Sequence, residues 1–329
     1  MVRILDTATV DRYLTTEIGL NAMRRCFQLE AEGRAGPATR SDLGHSAGWM
    51  RVLPAVFEGF GVFGHKVISF TSGQGVRYVI TLFDIETGQM RAVMDGKAIT
   101  GARTGATSAV AADLLCRPGI GTMAILGTGS VARAQLPALT AVRPVEEIRV
   151  YSRNPANRTG FIAEMQPALQ ARLLDCPPPD DAIEGADLVT LATKSPEPVL
   201  STHHLRPGLH VNSVGSARPD LSEVAPEAFA AFDLIVCDSV ELVFGESGDA
   251  VAAVSSGLFD VGGVVALSAA LSGGVDRDPS DLTLFKSTGT GLQDLALAAA
   301  ILEMAEADDA GATVDQVLAV KRFGATGRT

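Results

Sequence analysis

The first third of the chain combines one long helical pattern with several short strand patterns. Apolar residues recur at helical spacing over residues 14–33, which predicts an amphipathic helix that ends at Gly33. Short runs rich in β-branched and aromatic residues follow and are divided by glycines, at 51–53, 66–70, 77–82 and 90–94. Residues 86–88 predict a hairpin turn. Strands that meander beside a helix predict an α+β domain.

Strand and helix patterns alternate through the middle of the chain. A small-residue helix is predicted over 100–115, and Arg117-Pro118-Gly119 breaks it, so we place the main domain boundary there. Beyond the boundary, strands are predicted at 122–126, 148–151, 172–176, 187–193, 209–214 and 234–238, with helices from Ser130 and over 156–169. This alternation predicts a parallel, doubly wound sheet. A last helix, over 292–306, is predicted to return to the first domain.

The expected fold class is therefore α/β, with two domains. A Rossmann dinucleotide-binding domain is predicted over 118–292, and an α+β domain over 1–117 and 293–329. The length of 329 residues and the content of 47% hydrophobic and 20% charged residues agree with two compact domains.

Charge and cysteine content narrow the classes of function. The formal net charge of −11 offers no basic surface for nucleic acid, so a small anionic ligand must be bound by a few local cations. The four cysteines form no CxxC pair and no zinc spacing, which predicts reduced thiols and no metal site. No leader pattern and no apolar run of membrane-spanning length occurs, so we expect a cytoplasmic protein without a membrane partner.

A glycine-rich loop follows the predicted strand 122–126 and opens a helix. Its residues are Gly127, Thr128, Gly129, Ser130, Val131 and Ala132. In a Rossmann domain the first glycine makes the tight turn, the second lets the backbone approach the pyrophosphate, and the third small residue allows close packing. The helix N-terminus then offers free N–H groups to the phosphates. This context predicts a nicotinamide dinucleotide site.

The end of the second Rossmann strand indicates which dinucleotide is bound. A carboxylate normally meets the free ribose 2′-OH of NADH there, but this chain has Ser152, Arg153 and Asn154. Arg153 and Ser152 suit a 2′-phosphate, so we predict NADPH rather than NADH. The alternative is that Arg153 only points into solvent.

Four cations in the first domain are candidates for binding a carboxylate: Arg40, Arg51, Lys66 and Arg103. Guanidinium and ammonium groups together suit such a ligand. Lys66 stands among apolar residues, and Arg103 stands in a run of small residues where a long side chain is conspicuous. The sequence shows no Ser-His-Asp set and no paired-carboxylate signature.

Several separate motifs resemble the ornithine cyclodeaminase/mu-crystallin family, and the resemblance covers nearly the whole chain. Besides the 127–132 loop, the motifs are residues 37–40 (PATR), 64–67 (GHKV), 93–96 (VMDG), 99–104 (ITGART), 211–216 (VNSVGS) and 285–289 (FKSTG) leading to Gln293-Asp294.

The resemblance implies a homodimer joined through the non-Rossmann domain. It also implies that Arg40, Lys66 and Arg103 are the catalytic cations that hold a substrate carboxylate beside the nicotinamide, with Arg51 near them. The resemblance further implies cofactor-binding residues at or next to the nicotinamide half of the dinucleotide. These are Thr193, Ser213, Val214 and Gly215, together with Thr104, Ser287 and Gly289.

Two departures separate this chain from the cyclodeaminases. Ala217 and Arg51 stand where those enzymes carry acidic residues that engage a diamino acid. The chain therefore resembles the ketimine reductase branch more closely, which implies NAD(P)H-dependent reduction of imines of 2-oxo acids. The imine would be cyclic, such as Δ1-pyrroline-2-carboxylate or Δ1-piperideine-2-carboxylate, or linear, as in an amino acid dehydrogenase. The alternatives are a cyclodeaminase that uses NAD+ catalytically and a non-catalytic NADPH-binding protein.

Overall fold

The computed structural model describes residues 1–315, and it contains two β-sheets connected by packed helices. The strands are β1 (Val2–Leu5), β2 (Ser41–His45), β3 (Gly48–Phe57), β4 (Val62–Thr71), β5 (Gly75–Asp84), β6 (Met90–Asp95), β7 (Thr122–Leu126), β8 (Glu147–Tyr151), β9 (Arg172–Asp175), β10 (Leu188–Leu191), β11 (His210–Ser213), β12 (Leu234–Cys237), β13 (Val265–Ala266), β14 (Thr283–Lys286) and β15 (Ala312–Val314). The helices are α1 (Thr7–Tyr13), α2 (Thr16–Ala31), α3 (Lys97–Leu115), α4 (Ser130–Val142), α5 (Pro155–Met165), α6 (Pro179–Ile183), α7 (Pro226–Phe229), α8 (Val240–Glu246), α9 (Gly248–Ser255), α10 (Leu267–Gly273) and α11 (Gly291–Ala307).

The first sheet contains the meander that the sequence predicted. Its seven strands have the order β15-β1-β6-β5-β4-β3-β2. Strands β2 to β6 pair with one another in antiparallel fashion, whereas β1 pairs with β6 in parallel. Leu53, Ala55 and Phe57 of β3 are buried, whereas the alternate residues Pro54 and Val56 are exposed. This period of two lets one face pack against α11, which also contacts α2. Lys66 pairs with Leu53 across β3 and β4, so the lysine lies on the covered face.

The second sheet is the predicted doubly wound parallel sheet. Its eight strands have the order β13-β12-β14-β11-β10-β7-β8-β9. The chain winds outward from β7 in one direction through β8 and β9, and in the other direction from β10. The switch point between β7 and β10 is where such sheets bind ligands. Strand β7 has the predicted bounds, and the other five predicted strands are confirmed with ends that differ by one or two residues.

Five strands of two to five residues were not predicted, namely β1, β2, β13, β14 and β15. Strands β1 and β15 extend one edge of the first sheet. Strand β14 lies between β11 and β12, so the chain that follows it emerges at the same edge of the sheet as the ends of β10 and β11. Residues 316–329, which the sequence assigned to the first domain, lie outside the described residues.

Helix α3 packs between the two sheets and sets the position of Arg103. It contacts α2 on one side and α4 on the other. The contact with α4 depends on Gly105, since a Cβ at this position would lie 2.1 Å from the carbonyl oxygen of Ala134. The run of small residues in this helix is therefore a close-packing surface. None of the helices in residues 1–315 combines the length and the apolar character needed to span a membrane.

Candidate active site

A cavity of about 750 Å³ lies at the switch point of the parallel sheet. Its volume is in the range of cofactor sites. Ten of the residues predicted to bind the cofactor line it: Gly127, Thr128, Gly129, Ser130, Val131, Ser152, Arg153, Thr193, Val214 and Gly215. Ala217, one of the two positions that depart from the cyclodeaminases, lines the same cavity.

The glycine-rich loop has the geometry that a pyrophosphate requires. Gly127 has φ +113°, and a Cβ there would lie 2.3 Å from the carbonyl oxygen of Ala192. Gly129 has open space around it and forms the N-cap of α4 without a side-chain cap. The first N–H groups of α4 are thus free to donate to an anion. These residues fit a dinucleotide.

The other five predicted cofactor residues lie outside the cavity wall. Asn154 caps α5 by accepting from the N–H of Ala156, and Thr104 donates to the carbonyl of Thr100. Ser213 and Ser287 are buried and donate to the carboxylates of Glu223 and Asp238, respectively. Gly289 has φ +78°, and a Cβ there would lie 2.3 Å from a guanidinium nitrogen of Arg103. Gly289 therefore supports Arg103 by close packing.

Three polar side chains of the cavity wall lie close to one another. Asp180, His203 and His204 bring their ligand-type atoms within 4.8 Å of one another. Nδ1 of His204 accepts from the N–H of Ser201 at 3.1 Å, so Nε2 carries the hydrogen and donates to Asp180 at 3.0 Å. This imidazole is already committed to two protein partners.

The structure brings the four predicted cations into one cluster. Lys66 of β4 and Arg103 of α3 are buried and share the carboxylate of Asp294 on α11. Nζ of Lys66 lies 2.6 Å from one oxygen, and Nε of Arg103 lies 2.9 Å from the other. Arg103 also donates to Oε1 of Gln293 at 2.8 Å.

The remaining two cations of the cluster, Arg40 and Arg51, contact residues of the predicted Rossmann domain. The buried side chain of Arg40 donates to Oγ1 of Thr288 at 2.9 Å and to the carbonyl of Gly289 at 3.1 Å. Its Nε lies 3.3 Å from Glu246, the last residue of α8. Arg51 makes two bonds of 2.6 Å to Asp42 and lies 3.9 Å from Glu246. Arg51 is therefore already paired in the protein.

Burial shifts the ionisation of this cluster. Desolvation lowers the pKa of Lys66 to about 8, although the neighbouring Asp294 opposes the shift. Burial also lowers the pKa of the Arg40 guanidinium. Lys66 and Arg103 carry two positive charges against the single negative charge of Asp294, which leaves one buried positive charge. That excess suits one carboxylate ligand.

Sequence analysis gave no role to the acidic residues of the site, although Asp294 ends one of the family motifs. Asp294 and Glu246 contact the cations directly, and Asp238 accepts from the N–H groups of Thr288 and Gly289. Their positions in the sequence could have indicated them, because Asp238 directly follows a strand and Asp294 stands in the first turn of a mostly apolar helix. Such a charge in a buried helix face needs a partner.

Comparison with known proteins places the chain in a family. The sequence model of the ornithine cyclodeaminase/mu-crystallin family matches residues 3–309. The chain belongs to this family. A Δ(1)-pyrroline-2-carboxylate reductase of Bacillus cereus is 31% identical over 264 residues, which cover 77% of this chain and 81% of that protein. The ketimine reductase mu-crystallin of Mus musculus is 32% identical over 257 residues, covering 76% and 79%.

A solved structure shows the same fold. The Δ(1)-pyrroline-2-carboxylate reductase of Thermococcus litoralis, in complex with NADH and L-proline, superimposes with a TM-score of 0.90 and 30% identity. The match covers 95% of this chain and 100% of the other. The predicted family and the Rossmann-containing fold are both confirmed.

The pKa of Lys66 predicts that carboxylate binding weakens in mild alkali. Lys66 is a cation below about pH 8 and neutral above it, so one charge that attracts the ligand is lost as the pH rises. We expect the Kd of a small carboxylate such as pyruvate to rise on the order of tenfold between about pH 7 and about pH 9.5, measured by calorimetry.

Two variants control this measurement. Lys66→Arg keeps its charge at these pH values and should bind with nearly constant affinity. Lys97→Arg changes an exposed lysine and should follow the wild type. The same weakening in Lys66→Arg would show that another group titrates.

Proposed function

We propose that this protein is an NAD(P)H-dependent reductase of imines of 2-oxo acids. The observation that supports the proposal is a buried cluster of cations close to a cavity that fits a dinucleotide. Ser213 precedes Val214 of the cavity wall and pairs with Lys286 across β11 and β14. The chain then runs from Lys286 to Gly289, which packs against Arg103. Only a few residues thus separate the two sites.

The cluster binds and orients the substrate. Lys66, Arg103 and Arg40 would hold the carboxylate of the imino acid, so that the imine carbon faces the cavity. A nicotinamide dinucleotide, when bound, supplies the hydride. A protonated imine is already electrophilic, so the protein needs orientation more than a strong acid.

Lys66 and Asp294 set the protonation of the site. Asp294 keeps a proton on Nζ of Lys66 near neutral pH, against the desolvation that favours the neutral amine. Lys66 and Asp294 are both buried, so water would be excluded from a substrate carboxylate bound beside them. The charge-assisted bonds to that carboxylate would therefore be stronger. This complete set of cations argues against a purely non-catalytic role.

Imine reduction is favoured over cyclodeamination by the residues at two positions. Ala217 lines the cavity and offers no group to an amine, and Arg51 is held by Asp42. The two curated relatives named above are reductases. The identity of the imine, cyclic or linear, is decided by the assay below.

We propose NADPH as the preferred cofactor. The end of β8 carries Ser152 and an exposed Arg153, both in the cavity wall, and no carboxylate. A guanidinium at this place favours a 2′-phosphate. The NADH bound to the Thermococcus litoralis relative supports the proposal that this protein binds a nicotinamide dinucleotide. The proposed preference for the 2′-phosphate of NADPH rests on Arg153.

We also propose that the domains divide between residues 117 and 118 and between residues 292 and 293. We further propose that two copies of the chain form a homodimer through the first sheet. Large apolar side chains stand exposed on the strands of that sheet, namely Ile4, Leu43, Val56, Val76, Val79 and Val314. An exposed apolar sheet of this kind marks a protein interface. The cytoplasmic location stays a prediction.

The function is tested by following NADPH absorbance. We expect oxidation of NADPH with Δ1-pyrroline-2-carboxylate or Δ1-piperideine-2-carboxylate, or with a 2-oxo acid plus ammonia or methylamine. Lys66→Met should lower kcat/KM by about a hundredfold or more, because one buried carboxylate partner is lost. Lys97→Met is the matched control. Ammonia release from ornithine in the presence of NAD+, without net reduction of the cofactor, would indicate the lyase instead.

Cofactor preference is tested at Arg153. Arg153→Ala should raise the Kd of NADPH on the order of tenfold and leave the Kd of NADH nearly unchanged, since only NADPH carries the 2′-phosphate. Arg172→Ala removes another exposed arginine of the same sheet and serves as the control. Equal effects on both cofactors, or a wild-type preference for NADH, would contradict the assignment.

A further inference from the structure

We propose that Glu223 is a positioning residue that fixes the part of the cavity wall contacted by the nicotinamide half of the cofactor. The proposal rests on the proposed function, in which the cavity holds a nicotinamide dinucleotide. Glu223 lies between β11 and α7, is fully buried, and does not line the cavity itself. It acts through the residues that do.

The carboxylate of Glu223 joins the ends of two neighbouring strands. Its Oε1 accepts from the N–H of Thr193 at 2.6 Å and from Oγ1 of the same residue at 2.9 Å. Its Oε2 accepts from Oγ of Ser213 at 2.8 Å and from the N–H groups of Gly215 at 2.8 Å and Ser216 at 3.3 Å. One side chain thus receives five donors.

The position of these donors explains why an anion is needed. Strands β10 and β11 end at Leu191 and Ser213, and the wall residues Thr193 and Gly215 come two residues later. The N–H groups of Thr193 and Gly215 lie past the last ladder bonds and must be satisfied in another way. A buried carboxylate satisfies several at once with charge-assisted bonds.

The packing around Gly215 shows how tightly the two strand ends are held. A Cβ on Gly215 would lie 2.1 Å from the carbonyl oxygen of Thr193 and 2.4 Å from Oε1 of Glu223. The backbone of the β11 end therefore sits directly against the β10 end, with the carboxylate between them. Any shift of Glu223 moves both wall segments.

A second layer holds Glu223 in place. Oδ2 of Asp249 accepts from the N–H groups of Glu223 at 3.0 Å and Val224 at 3.1 Å. It also pairs with Nζ of Lys286 at 2.9 Å, which donates to Ser213 at 2.7 Å. Lys286 is fully buried, and its ammonium balances the negative charge of Asp249.

The test is the isosteric variant Glu223→Gln, assayed by binding. The amide keeps the side-chain volume but replaces one acceptor oxygen with a donor that faces N–H groups. We expect the Kd of NADPH to rise on the order of tenfold and kcat to fall. The Kd of 2′,5′-ADP and of ADP, which occupy only the adenosine half, should stay within about threefold, because the β8 end is untouched. Glu227→Gln, an exposed neighbour, is the control.

Two results would overturn the proposal. An equal rise in the Kd of NADPH and of 2′,5′-ADP would show that Glu223 has only a general structural role. Unchanged Kd values for both ligands would show that Glu223 does not position the cavity wall. If Glu223→Gln does not yield folded protein, Ser213→Ala removes one donor to the carboxylate and should give a smaller loss with the same selectivity for NADPH. A wild-type protein that binds none of these ligands would instead refute the proposed function.

Discussion

The carboxylate of Asp294 is the constraint on which the site depends. It joins the last described helix to a strand and a helix of the first third of the chain, because its two oxygens hold Lys66 and Arg103 separately. All three side chains are buried, so the removal of one leaves an uncompensated charge. The positions of both cations are thus fixed before any ligand binds, which is the preorganisation that orienting a substrate requires.

The Rossmann side is built in the same way. Asp238 accepts from the N–H groups of Thr288 and Gly289, and Gly289 in turn packs against Arg103. Glu223 holds the ends of the two strands that border the cavity. Buried carboxylates therefore shape irregular backbone on both sides of the junction, where strand ladders have ended and the polar groups need partners. Gly289 connects this side to the cation cluster through its contact with Arg103.

Local patterns predicted the parts of this structure that depend on local physics. The loop at Gly127 could be recognised because a strand, a tight turn and a helix start are neighbours in sequence, and Lys66 and Arg103 were conspicuous among apolar and small residues. The partners of those cations could not be found in this way. Asp294 is 191 residues from Arg103, and its contact exists only because α11 returns to β4 and α3. Strand β14 is buried at all four positions and shows no alternation of polar and apolar residues, yet it places Gly289.

The most direct test of the account is steady-state imine reduction by Asp294→Asn, with the Kd of NADPH measured in parallel. The amide keeps the volume but removes the charge that holds Lys66 protonated. We predict a loss of about a hundredfold or more in kcat/KM for the imino acid, with NADPH affinity nearly unchanged, while Asp308→Asn at the exposed end of α11 behaves as wild type. Turnover near the wild-type value in Asp294→Asn would contradict the account.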